Sequence, residues 1–171
     1  KLTSHARAVT SDLNGDGVFD ESDQYGYSHT VGWQSVTVVH SMGLSLTEFD
    51  ENGYPRFAPL ASEKMQTVVE KFYDLLYNGN QTLHVPWEPW MGAKAGITPL
   101  FGQGQVLYLH SNTEILPDMR DITIEFGLLP LPKFDEAQNS YYVMSDTQVL
   151  IIPVSIDSPE MVGVISEALA V

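Results

Sequence analysis

The chain has 171 residues and a formal net charge of −14, with 22 acidic residues against 8 Lys and Arg. So few cations argue against a nucleic-acid-binding protein and against a protein that binds anionic membranes, because phosphate groups must be neutralised by Lys and Arg. The absence of cysteine excludes disulfides, zinc–thiolate sites and cysteine nucleophiles. No apolar run approaches the roughly 20 residues of a membrane span, so we expect no direct insertion into a membrane.

In the first half of the chain, the best-defined element is a helix over Glu63–Tyr77, capped by Ser62. Its expected buried face consists of the apolar residues Met65, Val68, Val69, Phe72, Leu75 and Leu76, which recur at helical spacing. Before it, Gly32–Met42 favours a short helix, although a β-branched run leaves a strand open. Leu44–Phe49 and Tyr54–Phe57 flank a turn and predict a hairpin.

In the second half, short apolar segments predict strands, and the segment Val85–Met91 is too rich in proline for regular structure. The predicted strands are Val106–His110, Ile122–Phe126, Ser140–Met144 and Gln148–Ile152. Asn112–Met119 indicates a weak helix, and a final helix begins at Ser158-Pro159-Glu160. The expected buried stripe of the final helix is Met161, Val164, Ile165, Ala168 and Leu169. Helices and strands alternate, which predicts the α/β class.

The segment from Asp12 to Asp23 has the spacing of an EF-hand-like calcium loop. Calcium takes six to eight oxygen ligands, which such a loop supplies from positions 1, 3, 5, 7, 9 and 12. These positions are held by Asp12, Asn14, Asp16, the carbonyl group of Val18, Asp20 and Asp23, and Gly17 lies at the sharp turn of position 6. The four carboxylates would repel one another without a cation. The segment therefore predicts a calcium site.

The last position of this loop departs from the EF-hand pattern, because it holds Asp23 where a longer Glu is usual. We therefore expect modest affinity, about 10⁻⁴–10⁻³ M, as in extracellular modules, and a role in stapling a loop. The alternative is a solvated acidic turn without a metal ion. No second loop of this type follows, which argues against a paired EF-hand sensor and against a complete two-loop dockerin.

Several segments together resemble the extracellular solute-binding proteins, of the family 1 type, of bacterial carbohydrate ABC transporters. The residues that carry this resemblance are Asp12–Gly26, Phe101–Tyr108, Phe126–Gln138, Tyr141-Tyr142, Val149–Val154 and Ser158–Glu160. The resemblance implies a periplasmic-binding-protein-like type II fold, in which two α/β lobes close on a solute. We expect this chain to be mostly the C-terminal lobe, shortened at both ends, with residues 1–30 as a calcium-loop segment linking from the other lobe and residues 31–171 as the α/β lobe.

The function that the resemblance implies is capture of a carbohydrate outside the cell and its delivery to the membrane permease of an ABC importer. The expected partners are therefore an oligosaccharide or other small solute and the permease subunits, and the full-length protein would be a lipoprotein tethered at the cell surface by an N-terminal lipid. The alternatives are a fragment of a secreted calcium-binding carbohydrate-active enzyme and a dockerin-like adhesion module.

Candidate ligand-binding residues follow from the needs of a sugar site, which uses aromatic faces for pyranose rings and a few polar groups for hydroxyls. The aromatic candidates are Trp33, Trp87, Trp90 and one of the pair Tyr141 and Tyr142, for which we take Tyr142. Tyr108, His110 and Asn112 lie at or just past a predicted strand end, where open α/β sheets bind ligands. For each Trp the alternative is a place at the edge of the core.

Catalytic patterns are weak in this sequence. The five histidines show no metal-binding spacing, Gly102-Gln-Gly104 is only a fragment of a phosphate loop, and no Gly-x-Ser-x-Gly elbow occurs. Glu88, Glu114 and Glu125 are candidates for a glycosidase pair, with an exposed charge as the alternative for each. We therefore expect a binding protein rather than an enzyme.

Overall fold

The computed structural model describes residues 1–30, 33–58, 62–85, 97–145, 151–153 and 155–169. The fold is mixed α/β, with a small parallel sheet of three strands, a separate two-stranded hairpin and helices. The elements in chain order are α1 (Leu2–Val9), β1 (Tyr25–Thr30), α2 (Trp33–Ser41), β2 (Thr47–Phe49), β3 (Pro55–Phe57), α3 (Glu63–Tyr77), β4 (Thr82–Val85), α4 (Ile97–Gly102), β5 (Val106–His110), a 3-10 helix (Thr113–Met119) and α5 (Pro159–Leu169).

The parallel sheet has the order β4–β1–β5, so β1 is its central strand. Tyr27 pairs with Thr82 on one side and with Tyr108 on the other, which fixes the register of both ladders. The carboxyl ends of the three strands therefore meet at one edge of the sheet. In open α/β sheets this edge is where ligands bind.

Two apolar clusters form the core around this sheet. One joins α1, β1 and α3 through Ala6, Tyr27, Leu75 and Leu76, and the other joins α2 and α3 through Val38, Met42 and Val68. Gly26 of β1 lies so close to α1 that a Cβ built on it would overlap the Ala6 backbone. Glycine is therefore required at this helix–strand contact.

Helix α3 has the bounds predicted from its periodicity, and Ser62 caps it by accepting a hydrogen bond from the Met65 amide at 3.1 Å. Its buried residues are Met65, Val68, Leu75 and Leu76. Val69 was expected on the same face, but it is 56% exposed, so that expectation is wrong. The apolar face is narrower than predicted because its stripe packs along α1, β1 and α2 and does not extend to Val69.

The hairpin of β2 and β3 confirms the prediction made from its turn residues. Asp50 accepts hydrogen bonds from the amides of Asn52 and Tyr54, and Gly53 adopts a positive φ of 81°. Both strands are fully exposed along their length.

None of the described residues after Met119 is buried. The predicted strands Ile122–Phe126 and Ser140–Met144 are wrong, since neither segment pairs with a strand, and the described residues of Gln148–Ile152, Ile151 and Ile152, are not in a strand. A strand requires a neighbour for its amide and carbonyl groups, and the described residues provide none for these segments. Helix α5 is present, but its predicted buried stripe is wrong, because Met161, Val164, Ile165 and Leu169 are each at least 50% exposed and no residue of the helix is buried.

Residues 1–30 are an integral part of the same body as the residues that follow. Helix α1 packs on β1 and α3, and β1 is the central strand of the sheet. The expected division after residue 30 stays a prediction. Within that part of the chain, no helix combines the length and the apolar character needed to cross a membrane.

Candidate functional site

The predicted calcium loop is a series of turns in which each of its four aspartate side chains accepts backbone amide hydrogens. Asp12 accepts from Gly15 at 2.6 Å and from Gly17 at 2.8 Å, each through a different carboxylate oxygen. Asp16 accepts from the amide of Val18 at 2.7 Å. Gly17 has a φ of 79°, which glycine adopts without strain, so the sixth position turns as the sequence predicts.

The end of the loop folds back onto its start through Asp23, which is fully buried. One oxygen of Asp23 accepts from the amide of Leu13 at 2.9 Å, and the other accepts from the amide of Asp20 at 3.0 Å. Ser22 donates to Asp20 through both its hydroxyl and its amide, and these hydrogen bonds lower the pKa of Asp20. The carboxyl group of Asp20 is therefore ionised at neutral pH.

The donor chemistry of this loop fits calcium, because its ligands are hard oxygens. The described ion pairs are Lys1–Glu136 and Arg7–Asp74, so no described Lys or Arg neutralises the carboxylates of the loop. No three His, Cys, Asp or Glu side chains of the described residues converge closely enough to hold a metal ion. Because their oxygens are hydrogen-bonded to loop amides, the carboxylates would have to turn inward to coordinate an ion.

A row of three histidines crosses the sheet near the carboxyl ends of its strands. His29 of β1 pairs in register with His84 of β4 and with His110 of β5. The Nε2 atom of His29 lies 3.2 Å from Nδ1 of His84, and Nδ1 of His110 lies 2.6 Å from the hydroxyl of Tyr27. His29 and His110 are both buried.

The partners of these histidines define their tautomers. Thr37 donates its one hydroxyl hydrogen to the carbonyl of Gln34, so Nε2 of His110 must donate to Thr37 and Nδ1 must accept from Tyr27. His84 Nε2 lies 2.9 Å from the carbonyl of Leu76, which can only accept. In a neutral His84 the Nδ1 atom is then an acceptor for Nε2–H of His29. The donors and acceptors of these contacts therefore match along the row.

A cavity of about 810 Å³ lies along the outer side of β5 and reaches the carboxyl end of that strand. It lies between α1, β5, the 3-10 helix and the irregular segment 124–132. Tyr108, His110 and Asn112 line it, and His5 of α1 contributes a hydrogen bond of 3.1 Å to the Tyr108 hydroxyl. The remaining wall is mainly apolar, with Leu2, Ile115, Met119 and Phe126 among its residues.

The structure brings together only part of the predicted ligand-binding set. Tyr108 and His110 share the cavity, but Tyr142 lies elsewhere, with its ring 6.4 Å from that of His40. Trp87 and Trp90 lie outside the described residues, as does the Trp33 side chain, although Trp33 begins α2. Of the glycosidase candidates, Glu114 and Glu125 are exposed, and Glu88 lies outside the described residues.

Sequence reasoning missed His29 and His84 as members of this row, and Tyr27 and Thr37 as the partners of His110. Their proximity depends on the register of β1 against β4 and β5, and neither β1 nor β4 was predicted as a strand. The alternation of Tyr25, Tyr27 and His29 along the chain is the signal that would have indicated β1.

Comparison of the chain with protein-family models, with curated proteins and with solved structures found no match. Its function is therefore inferred from its own residues and their geometry.

Proposed function

We propose that this chain forms one lobe of an extracellular solute-binding protein that captures a carbohydrate and delivers it to the permease of an ABC importer. The observation that carries the proposal is the cavity at the edge strand β5, which reaches the carboxyl edge of a parallel sheet and is lined by Tyr108, His110 and Asn112. An aromatic ring beside a few fixed polar groups is the combination that sugar recognition requires.

In this proposal, the lobe supplies binding groups and no chemistry. Tyr108 offers a ring face, and Asn112, which is exposed at the end of β5, offers an amide to sugar hydroxyls. A second lobe would close over the solute, and the higher affinity of the closed form would drive the closure. The full-length protein would act at the cell surface, tethered by an N-terminal lipid, as in the family that the chain resembles.

A thermal-shift screen against an oligosaccharide panel tests this function. A ligand that binds only the folded state raises the melting temperature by mass action, so one glycan class should produce a shift without any product on chromatography. Asn112→Ala should weaken that binding about tenfold, because one or two hydrogen bonds to the glycan are lost. Asn80→Ala is the control: it also replaces an exposed asparagine, and it should leave the binding unchanged. No shift with any glycan would reject the carbohydrate assignment, and turnover of a glycan would indicate an enzyme.

We also propose that the loop binds one calcium ion as a structural staple. The proposed ligands are the side chains of Asp12, Asn14, Asp16, Asp20 and Asp23 and the carbonyl of Val18. The support for this is the EF-hand spacing, the turn at Gly17, and the concentration of carboxylates that no described Lys or Arg neutralises. When bound, the ion supplies positive charge that holds these oxygens together.

Isothermal titration with calcium tests this second proposal. We expect one site with a Kd of about 10⁻⁴–10⁻³ M. Asp16→Asn should weaken binding by about tenfold or more, because one carboxylate charge is lost. Asp50→Asn is the matched control, since Asp50 also accepts two backbone amides in a glycine turn but stands outside the loop. Heat of binding that is absent, or equally reduced by both substitutions, would reject the site.

A further inference from the structure

The cavity is bordered by the free edge of the parallel sheet. Strand β5 has β1 as its neighbour on one side, and no described strand lies on its other side. Every residue of β5, from Val106 to His110, lines the cavity. Because successive side chains of a strand point to opposite faces, a cavity that touches all of them lies along the edge of the strand. The amide and carbonyl groups of this edge therefore face the cavity, where they can pair with an added strand.

Segment 124–132 forms the opposite wall of the cavity and has the pattern of a strand in its first half. Its alternating apolar residues are Ile124, Phe126 and Leu128. Among the described residues, none makes a hydrogen bond with residues 124–131. Phe126 is 40% exposed and Leu128 is 68% exposed. The segment thus lies beside an open strand edge without the hydrogen bonds or the burial that a strand obtains from a neighbour.

Two anchors make this segment run in the same direction as β5. At its start, Ile122 lies over Gly102, where an added Cβ would be 3.2 Å from the Ile122 side chain. Gly102 ends α4, which comes immediately before β5 in the chain, so this anchor lies near the amino end of β5. At the other end, the Pro132 carbonyl accepts from the hydroxyl of Ser41 at 3.4 Å. Ser41 ends α2, and the same helix contacts the carboxyl end of β5 through Thr37.

The chain between β5 and the segment has the length that a parallel connection requires. Residues 111–121 join the two and contain the 3-10 helix. Parallel neighbours need a connection of about a dozen residues, which is usually helical. Because the segment is already held at both ends, docking it onto β5 adds little to the entropy cost of closing the loop.

We propose that residues 124–128 add to β5 as a fourth parallel strand when no solute is bound, and that a solute in the cavity holds the open arrangement of this structure. Docking pairs the free edge of β5 and removes apolar surface of the segment from water, and both changes favour it. The pairing is independent of the solute's identity, whereas the competition with a carbohydrate rests on the proposed function. The chain then regulates access to its own cavity.

Hydrogen exchange of single amides tests the pairing without any glycan. Within a ladder, alternate amides of the added strand face β5 and the others face away. We therefore expect every second amide between Glu125 and Leu129 to have a protection factor of at least about 10, which corresponds to an open fraction of about one tenth. Protection factors near 1 at all of these amides would overturn the pairing.

Proline substitutions identify the ladder, because proline has no amide hydrogen to donate. Glu125 and Leu128 are three residues apart, so their amides face opposite sides of the strand, and one of Glu125→Pro and Leu128→Pro removes a donor to β5. That variant should lose the alternating protection while the α3 amides stay protected. Glu125→Thr and Leu128→Val are the controls, since they keep the amide hydrogen and favour a strand, and they should retain the pattern. Retention of the pattern in both proline variants would also overturn the pairing.

The glycan selected by the thermal-shift screen tests the competition. A site that is open for about one tenth of the time binds about tenfold more weakly than a permanently open one. The proline variant that abolishes pairing should therefore bind the glycan about tenfold more tightly than its control variant does. Saturating glycan should also remove the alternating protection from the unaltered protein.

The outcomes separate this inference from the proposed function. Equal glycan affinities of the proline variant and its control, or protection that saturating glycan leaves unchanged, would overturn the competition while the glycan site stands. Absence of binding by any glycan would reject the carbohydrate function and with it the competition, and the exchange pattern would still decide whether the segment pairs with β5.

Discussion

His110 combines burial, a defined tautomer and a place in the wall of the cavity. Burial, with a smaller contribution from His29, lowers the pKa of His110 from its ordinary value of 6.5 to about 4. Protonation would put a second N–H on Nδ1, where the ring now accepts from the Tyr27 hydroxyl, so the hydrogen bond would have to reverse. The burial that lowers the pKa of His110 also raises that of Tyr27, which therefore stays protonated as the donor.

This lowered pKa makes stability depend on pH. Between pH 6.5 and pH 4 the unfolded chain binds a proton at this position that the folded chain does not, so the free energy of unfolding must fall as the pH falls through that window. From pH 7.5 to pH 5 we expect His110 to account for a loss of about 2 kcal/mol in urea unfolding. His110→Gln should flatten this dependence and His40→Gln should not. An equally steep loss in His110→Gln would contradict the assignment.

A second prediction at the residue scale concerns a substitution of Gly26. A methyl group there would overlap the backbone of α1 at Ala6, which cannot move without displacing the helix. Gly26→Ala should therefore cost about 1–3 kcal/mol, as overpacking does. Gly127→Ala is the control, because nothing lies within 4 Å of a Cβ at that position. Equal urea midpoints for the two variants would show that α1 does not pack on β1 as described.

At the scale of elements, α3 shows which of its apolar residues carry the core. Val68 is 1% exposed and packs with Val38 and Met42, whereas its neighbour Val69 is 56% exposed. Val68→Ala should lower the free energy of unfolding by about 2 kcal/mol, while Val69→Ala should change it by less than about 0.5 kcal/mol. Similar losses for both variants would mean that a further element covers Val69.

Helix α5, in contrast to α3, should be only weakly protected from hydrogen exchange, because none of its residues is buried. An isolated helix of 11 residues is marginal in water without tertiary packing. Its amides should therefore exchange with protection factors of less than about 10, far below those of α3. Strong protection of α5 would indicate a partner, and dependence on protein concentration would identify that partner as a second copy of the chain.

The elements that sequence predicted correctly are those whose signals are local. Helix α3 has a capping serine and a helical repeat, and the β2–β3 hairpin has an Asp–Gly turn, so neighbouring residues were sufficient. Strand β1 contains Gly26, Ser28 and Thr30 between its aromatic residues and was missed, because its stability comes from two distant partners. Ile122–Phe126 has the alternation of a strand but no strand to pair with among the described residues, so the pattern alone gave a wrong prediction there.

At the scale of the whole molecule, the candidate site also has parts with a local sequence signal and parts formed by residues distant in the chain. The acidic loop of Asp12–Asp23 is contiguous in sequence, so its turn at Gly17 could be predicted from spacing alone, while calcium binding there stays a prediction. The histidine row joins residues that are far apart in the chain, and it depends on the order β4–β1–β5. The cavity likewise depends on how α1 and segment 124–132 lie beside β5, which no local pattern indicates.

The described residues thus form a packed body up to Met119 and a region after it in which none of them is buried, although Phe134 packs against the cluster of α2 and α3. The acidic loop and the parallel sheet belong to the packed body, and the cavity lies between that body and segment 124–132. The proposed carbohydrate site should therefore be a property of that body, at the carboxyl edge of the sheet.

An NMR titration of the isotope-labelled protein with the glycan class selected by the thermal-shift panel, at saturating calcium, tests this claim most directly. The account predicts saturable chemical-shift changes at Tyr108, His110, Ser111 and Asn112. The β2–β3 hairpin serves as the control surface and should show little change. Shift changes confined to another surface, or no saturable change with any glycan in the panel, would contradict a carbohydrate site at the end of β5.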